Sequence, residues 1–171
     1  EHAPGGQKEA LRRLDRFIAE RLQNYLDRNQ PEADAASGLS PWLHWGHVSA
    51  HEVFQRVVDE EGWDPSAIEG QKATGKREGW WGMSPAAEGF LDELITWREV
   101  CFNTCQNRPK DYGKYDSLPE FAKTTLAEHA NDKRPHVYSL EELESAKTHD
   151  ELWNAAQNQL RRDGIIHNYL R

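Results

Sequence analysis

In ALRRLDRFIAERLQNYLDR, residues 10–28, the apolar side chains Leu11, Leu14, Ile18, Leu22 and Tyr25 recur every three or four positions. That spacing follows the 3.6-residue helical repeat and lays one apolar stripe along a helix. The pattern returns at Val53, Val57 and Val58, at Phe90, Leu91, Leu94 and Cys101, and at Leu152, Ala156 and Leu160. No stretch sustains the alternation of period two that a half-buried strand needs, and no Asn-Gly or Asp-Gly hairpin turn joins two such stretches. The expected fold is all-α, a single multi-helix domain over residues 1–171 with about six helices.

Start and stop signals agree with this reading. Ser49 with Glu52, Ser139 with Glu142, and Thr148 with Glu151 each have capping-box spacing. Ser84-Pro85 pairs an N-cap with a proline in the first turn, and Gly164 stands where the last long helix should stop. Residues 62–83, GWDPSAIEGQKATGKREGWWGM, read as one long loop, and no internal repeat is present.

Composition limits the function classes. The net charge of -8 argues against wrapping nucleic acid by charge alone, although a local basic patch stays compatible with it. No apolar run is long enough to span a bilayer. Two cysteines, Cys101 and Cys105, are too few for a disulfide scaffold, so free thiols and a cytoplasmic setting are expected. GQKATGKR, residues 70–77, resembles a P-loop, but Arg77 replaces the Ser or Thr that would meet magnesium, and no strand precedes it. His44, His47 and His51 lie close in sequence, yet Gly46 and the Ser49 cap break the chain between them, so no metal site is expected. Nothing reads as a nucleophile elbow or a dinucleotide fingerprint, so any chemistry should come from a cofactor.

Three stretches carry the remaining information. In SGLSPWLHWGH, residues 37–47, Ser37 and Ser40 flank Gly38 and Leu39, with Pro41 in the first turn of a helix. Amides and hydroxyls there suit an anion such as a pyrophosphate, unless Ser40 only caps the helix. In FLDELITWREV, residues 90–100, Glu93 and Trp97 are four apart and share a helical face, while Arg98 and Glu99 turn away. A carboxylate beside an indole can grip a nucleobase; the plain alternative is a surface acid next to a core tryptophan. In LWNAAQNQLRRDGIIHNYLR, residues 152–171, a helix ends at Gly164 and is followed by His167, Asn168 and Arg171 within one turn.

Taken together, these stretches resemble the FAD-binding helical domain of the photolyase and cryptochrome family, with the nearest likeness to class II cyclobutane-dimer photolyases. The S-x-L-S-P-W-L-H-x-G-H phrase appears as Ser37 to His47, E-L-I-x-W-R-E as Glu93 to Glu99, and G-x-x-H-N-x-L-R as Gly164 to Arg171. Residues 115–157 are similar to the linking helices of class II, and the likeness runs collinearly from about residue 20 to 171.

The resemblance implies specific roles. Ser37, Gly38, Leu39 and Ser40 would cradle the FAD phosphates. Tyr25, Arg98 and Arg171 would lie on the flavin side. Glu93 would hydrogen-bond a flipped pyrimidine dimer, Trp97 would pack against it, and Asn168 would sit at the lesion end of the pocket. The implied activity is that of a light-driven DNA lyase, with damaged DNA as partner, no membrane, and a monomeric state. A cryptochrome-like photoreceptor and a non-catalytic helical fragment are the alternatives. The family's antenna domain and C-terminal pocket helices have no counterpart in these residues, so the fragment alone is expected to hold FAD weakly and to be inactive.

Overall fold

A computed structural model describes residues 4–68 and 79–170, and these form helices joined by turns, with no strand among them. The all-α expectation holds. Eight α-helices occur among the described residues: α1 Gln7–Glu20, α2 Ser40–His44, α3 Ala50–Glu61, α4 Pro85–Leu91, α5 Arg98–Asn107, α6 Glu120–Glu128, α7 Leu140–Glu144 and α8 Glu151–Asp163. That exceeds six because short helices escape a reading by periodicity, which needs several turns to register. The P-loop-like stretch, residues 70–77, falls outside the described residues. Backbone proximity groups the chain into two compact units, one running to Arg98 and including His167–Tyr169, the other spanning Glu99–Ile166.

The first unit contains the core. The helix expected to run through Tyr25 instead stops at Glu20, where Arg21 leaves helical geometry (φ -128°), and continues as a 3₁₀ segment, Leu22–Asp27. The tighter segment still turns Leu22 and Tyr25 inward, so the apolar stripe survives while the helix type changes. Phe17, Tyr25 and Phe90 meet ring to ring, with centroids 4.7 Å apart for Phe17–Phe90 and 5.1 Å for Tyr25–Phe90. Leu14, Val53, Val57 and Leu91 are fully buried around them. Gly89 lets the 3₁₀ segment lie close on α4, since an added Cβ would come within 3.1 Å of Leu26 Cδ2.

Glu88 is the notable polar member of this unit. Only 3% exposed, its carboxylate accepts backbone N–H groups from Gly79, from Trp81 (3.0 Å), from Gly82 (2.8 Å) and from Met83 (3.3 Å). These bonds satisfy a charge that would otherwise be costly to bury. They also hold Trp81 where it meets Phe54 and Trp63, whose indole N–H donates to the Trp81 carbonyl at 2.6 Å.

The helix opened by Ser84 does not stay α-helical. After α4 it widens into a π-helical turn, Asp92–Trp97, before α5 resumes, and such turns concentrate at functional positions.

In the second unit, Ala156 is the only buried residue among those described. Order there comes from short-range bonds. Arg108 reaches the Ser117 carbonyl (2.8 Å) and Asp111 (2.5 Å), and the His149 N–H donates to the Tyr138 hydroxyl (2.9 Å). Ser139 and Glu142 form the expected reciprocal capping box. The Thr148–Glu151 box does not form. Asp150 caps α8 instead, accepting N–H groups of Leu152 and Trp153, while the Thr148 hydroxyl bonds Asn154 at 2.9 Å. A carboxylate directly before the helix outcompetes a hydroxyl two residues further back. Gly164 takes the left-handed conformation (φ 71°) and ends α8 as expected.

Candidate functional site

The hydroxyl-rich turn is rooted from below. Leu39 is fully buried, while Ser40 is exposed at the first position of α2. Leu39, not Ser40, occupies the N-cap position, and no side chain caps α2. The reading of Ser40 as a mere cap therefore does not describe its hydroxyl. Ser37 Oγ accepts the Leu39 N–H at 3.4 Å, and Gly38 has φ 65°, a conformation that favours glycine. A Cβ on Gly38 would meet nothing within 4 Å, so the turn faces open space. Two exposed or half-exposed hydroxyls over an open, glycine-shaped turn can hydrogen-bond an anion such as a pyrophosphate.

The approach to that turn is braced. The Arg21 guanidinium pairs with Asp34 (2.5 Å) and donates to the Ala36 carbonyl (3.4 Å), and Asp34 itself is left-handed (φ 46°). A polar cavity of about 210 Å³ lies here, lined by Arg16, Glu20, Arg21, Asn24 and residues 33–35.

Three of the expected site residues gather around a segment that the motifs did not mark, Arg28 and Asn29. The Arg28 guanidinium stacks over the Tyr25 ring at 4.9 Å and donates to Glu93 Oε1 at 3.0 Å. The amide of Asn168 donates to Asn29 Oδ1 at 2.7 Å. Tyr25, Glu93 and Asn168, distant in sequence, are thus tied to two consecutive residues. Tyr25 itself is 7% exposed, and burial pushes its phenol up to about 12, with Arg28 opposing and Glu93 adding to the rise. It enters the site as a neutral wall of the core.

Glu93 and Trp97 do not occupy an ordinary α-helical face, because the π-turn changes their register. Glu93 points to Arg28, while the Trp97 indole N–H donates to Asp92 Oδ2 at 3.1 Å. Asp92 is 8% exposed and Trp97 46%, so Trp97 is neither a core tryptophan nor a loose one. Arg98, half-buried, opens α5 directly after the π-turn. Arg171 lies outside the described residues.

Arg28, Asn29 and Asp92 are the residues the motifs missed. Each is polar and near a residue already singled out, yet only the tertiary arrangement marks them. Among the described residues no group of three or more His, Cys, Asp or Glu side chains could hold a metal ion. No helix there is long and apolar enough to cross a membrane. Cys101 and Cys105 are free and exposed, not interior thiols.

No protein-family profile matches the sequence. Individual relatives do. The chain is 41% identical over 99% of its length to the deoxyribodipyrimidine photo-lyase of Potorous tridactylus. It is 40% identical over 97% to that of Oryza sativa subsp. japonica, and 42% identical over 92% to that of Arabidopsis thaliana. It spans 28–30% of the length of these relatives, under a third. Identity of 40–42% along nearly the whole chain places these residues in the photolyase family, as the counterpart of one segment of its members.

Proposed function

We propose that these residues form part of the flavin- and lesion-binding domain of a light-driven DNA repair lyase of the class II type, which splits cyclobutane pyrimidine dimers. The two units would serve as parts of one helical domain, in a monomeric protein that works in the cytoplasm. The observation that carries this reading is the convergence of Tyr25, Glu93 and Asn168 on Arg28 and Asn29. The shared name of relatives from several organisms supports the activity.

FAD, when bound and reduced, supplies the electron that light drives onto the dimer and that returns after cleavage. The chain's own task is placement. Ser37, Gly38, Leu39 and Ser40 hold the phosphates with hydroxyls and amides, and Leu39 anchors that turn in the core. Tyr25 and Arg98 would lie on the flavin side, and Arg171, outside the described residues, is assigned there by its place in the G-x-x-H-N-x-L-R phrase alone. Glu93 accepts an N–H from the flipped pyrimidine, Trp97 gives it a flat apolar wall, and Asn168 closes the lesion end. Held this way, donor and acceptor need no diffusive search.

The test uses the full-length protein with its FAD fully reduced and a dimer-containing oligonucleotide under blue light. Light-dependent restoration of the pyrimidines is expected. Stable binding of flavin with no repair, together with light-dependent binding of another protein, would overturn the lyase reading in favour of a photoreceptor.

A further inference from the structure

We propose that Asp92 is a positioning residue for Trp97, fixing the indole plane before any base arrives. The proposal rests on the reading of Trp97 as the wall of the lesion pocket. In a regular α-helix, residues five apart point about 140° away from each other. Asp92 and Trp97 are five apart, yet they meet at 3.1 Å through the indole N–H. The π-turn Asp92–Trp97, whose hydrogen bonds run to the fifth residue, makes that meeting possible.

The burial pattern gives the bond a direction. Asp92 is 8% exposed, whereas Trp97 is 46% exposed. The indole has a single donor and no acceptor. With that donor turned inward to Asp92, the ring offers apolar surface outward while its rotation about the side-chain bonds is restrained. An aromatic surface set in advance binds a flat partner without the cost of immobilising it afterwards. The neighbouring carboxylate of Glu93 diverges to Arg28, so two consecutive acids serve separate tasks: one holds the wall, the other stands at the edge.

The experiment uses the full-length flavoprotein, labelled with ¹⁵N-tryptophan, and a dimer-containing oligonucleotide as the probe. The Trp97 indole resonance is identified by its absence in Trp97→Phe. In Asp92→Ala that resonance should move upfield, and dimer affinity should fall about fivefold, the size of one net hydrogen bond. The loss should fall mainly on KM, not on kcat. Asp92→Asn keeps an accepting oxygen and should recover most of the affinity. Adding Asp92→Ala to Trp97→Phe should cost clearly less dimer affinity than Asp92→Ala costs alone, because the bond between the two is already gone.

An Asp92→Ala protein with a shifted indole resonance and unchanged dimer affinity would overturn the proposal. So would an equal loss when Asp92→Ala is introduced alone and when it is added to Trp97→Phe. If Asp92→Ala fails to fold, Asp92→Asn with the Trp97→Phe comparison decides the same point: Trp97→Phe alone must weaken dimer binding. Unchanged dimer affinity in Trp97→Ala would instead sink the underlying reading of Trp97 as the wall.

Discussion

The two units are built from similar local signals and end in different physical states. In the first, helix α1, the 3₁₀ segment Leu22–Asp27 and α4 interlock around Phe17, Tyr25 and Phe90. Sixteen of the seventeen buried apolar residues among those described belong to it. The second has equally clear caps, yet Phe121, Leu140 and Leu152 stand 76%, 71% and 64% exposed. Caps and periodicity make helices, while long-range apolar complementarity makes a core. The candidate site residues among those described, from Tyr25 through Arg98 to Asn168, all belong to the first unit, where a rigid scaffold can hold side chains in register.

The largest expected effect tests this contrast directly. Phe17→Ala removes the ring at the centre of the aromatic cluster and should cost about 3–5 kcal/mol in denaturant unfolding. Trp153→Ala, on the half-exposed face of α8, should cost under about 1 kcal/mol. Comparable losses from the two would abolish the distinction. Native-state hydrogen exchange gives the same comparison by region, with slow amides in α1 and α4 and fast ones in α6 and α7.

Glu88→Ala comes next. It strands N–H groups of Gly79, Trp81, Gly82 and Met83 and should destabilise by about 3 kcal/mol, the upper range for hydrogen bonds to a charged group. Trp81 fluorescence should shift red as its packing on Phe54 loosens. Glu88→Gln retains one accepting oxygen and should lose less. A surface-like response below about 0.5 kcal/mol would mean that the carboxylate is incidental to the first unit.

These contrasts also explain what could be read from the residues alone. The all-α class, the Ser139–Glu142 box and the Gly164 stop depend on neighbours within a turn, and they are legible in the sequence. The break after Glu20 and the Asp150 cap are not, because each is a competition between nearby alternatives that tertiary packing or a better acceptor decides. At the site, Ser37 to Ser40, Glu93, Trp97 and Asn168 stand out through phrases shared with a family. Arg28, Asn29 and Asp92 do not, since an arginine over a tyrosine or a carboxylate under an indole exists only after folding. The π-turn has no periodic signature of its own, so Glu93 and Trp97 read as an ordinary i,i+4 pair.

The Tyr25 phenol sharpens the comparison through pH. Its folded value is about 12, raised first by burial, against about 10 for an exposed tyrosine. A folded value above the unfolded one means that stability from this group is complete below pH 10 and is lost as pH rises from about 10 to about 12. The loss is roughly 2–3 kcal/mol, the free-energy equivalent of that difference for a buried group. Wild type minus Tyr25→Phe should therefore decline across that alkaline window in urea titrations and stay flat at about pH 6 to 9. A flat difference throughout would show a phenol open to water and a looser first unit.

The smallest effect belongs to the second unit, where helices stand on local bonds. Ser139→Ala removes the hydroxyl that accepts the Glu142 N–H and should cost about 1 kcal/mol, the usual value of an N-cap. With no core beneath α7, that loss should appear as faster exchange of the α7 amides, leaving the Asp150-capped first turn of α8 unchanged. The backbone N–H and then the hydroxyl of Ser139 hold the Glu142 carboxyl below the usual carboxylate range. A lowered folded value contributes stability above the unfolded value that is lost as pH falls through the folded one. The gap between wild type and Ser139→Ala should accordingly narrow in acid. If it persists unchanged when Glu142 is protonated, the two halves of the box act separately, and α7 is held by its hydroxyl alone.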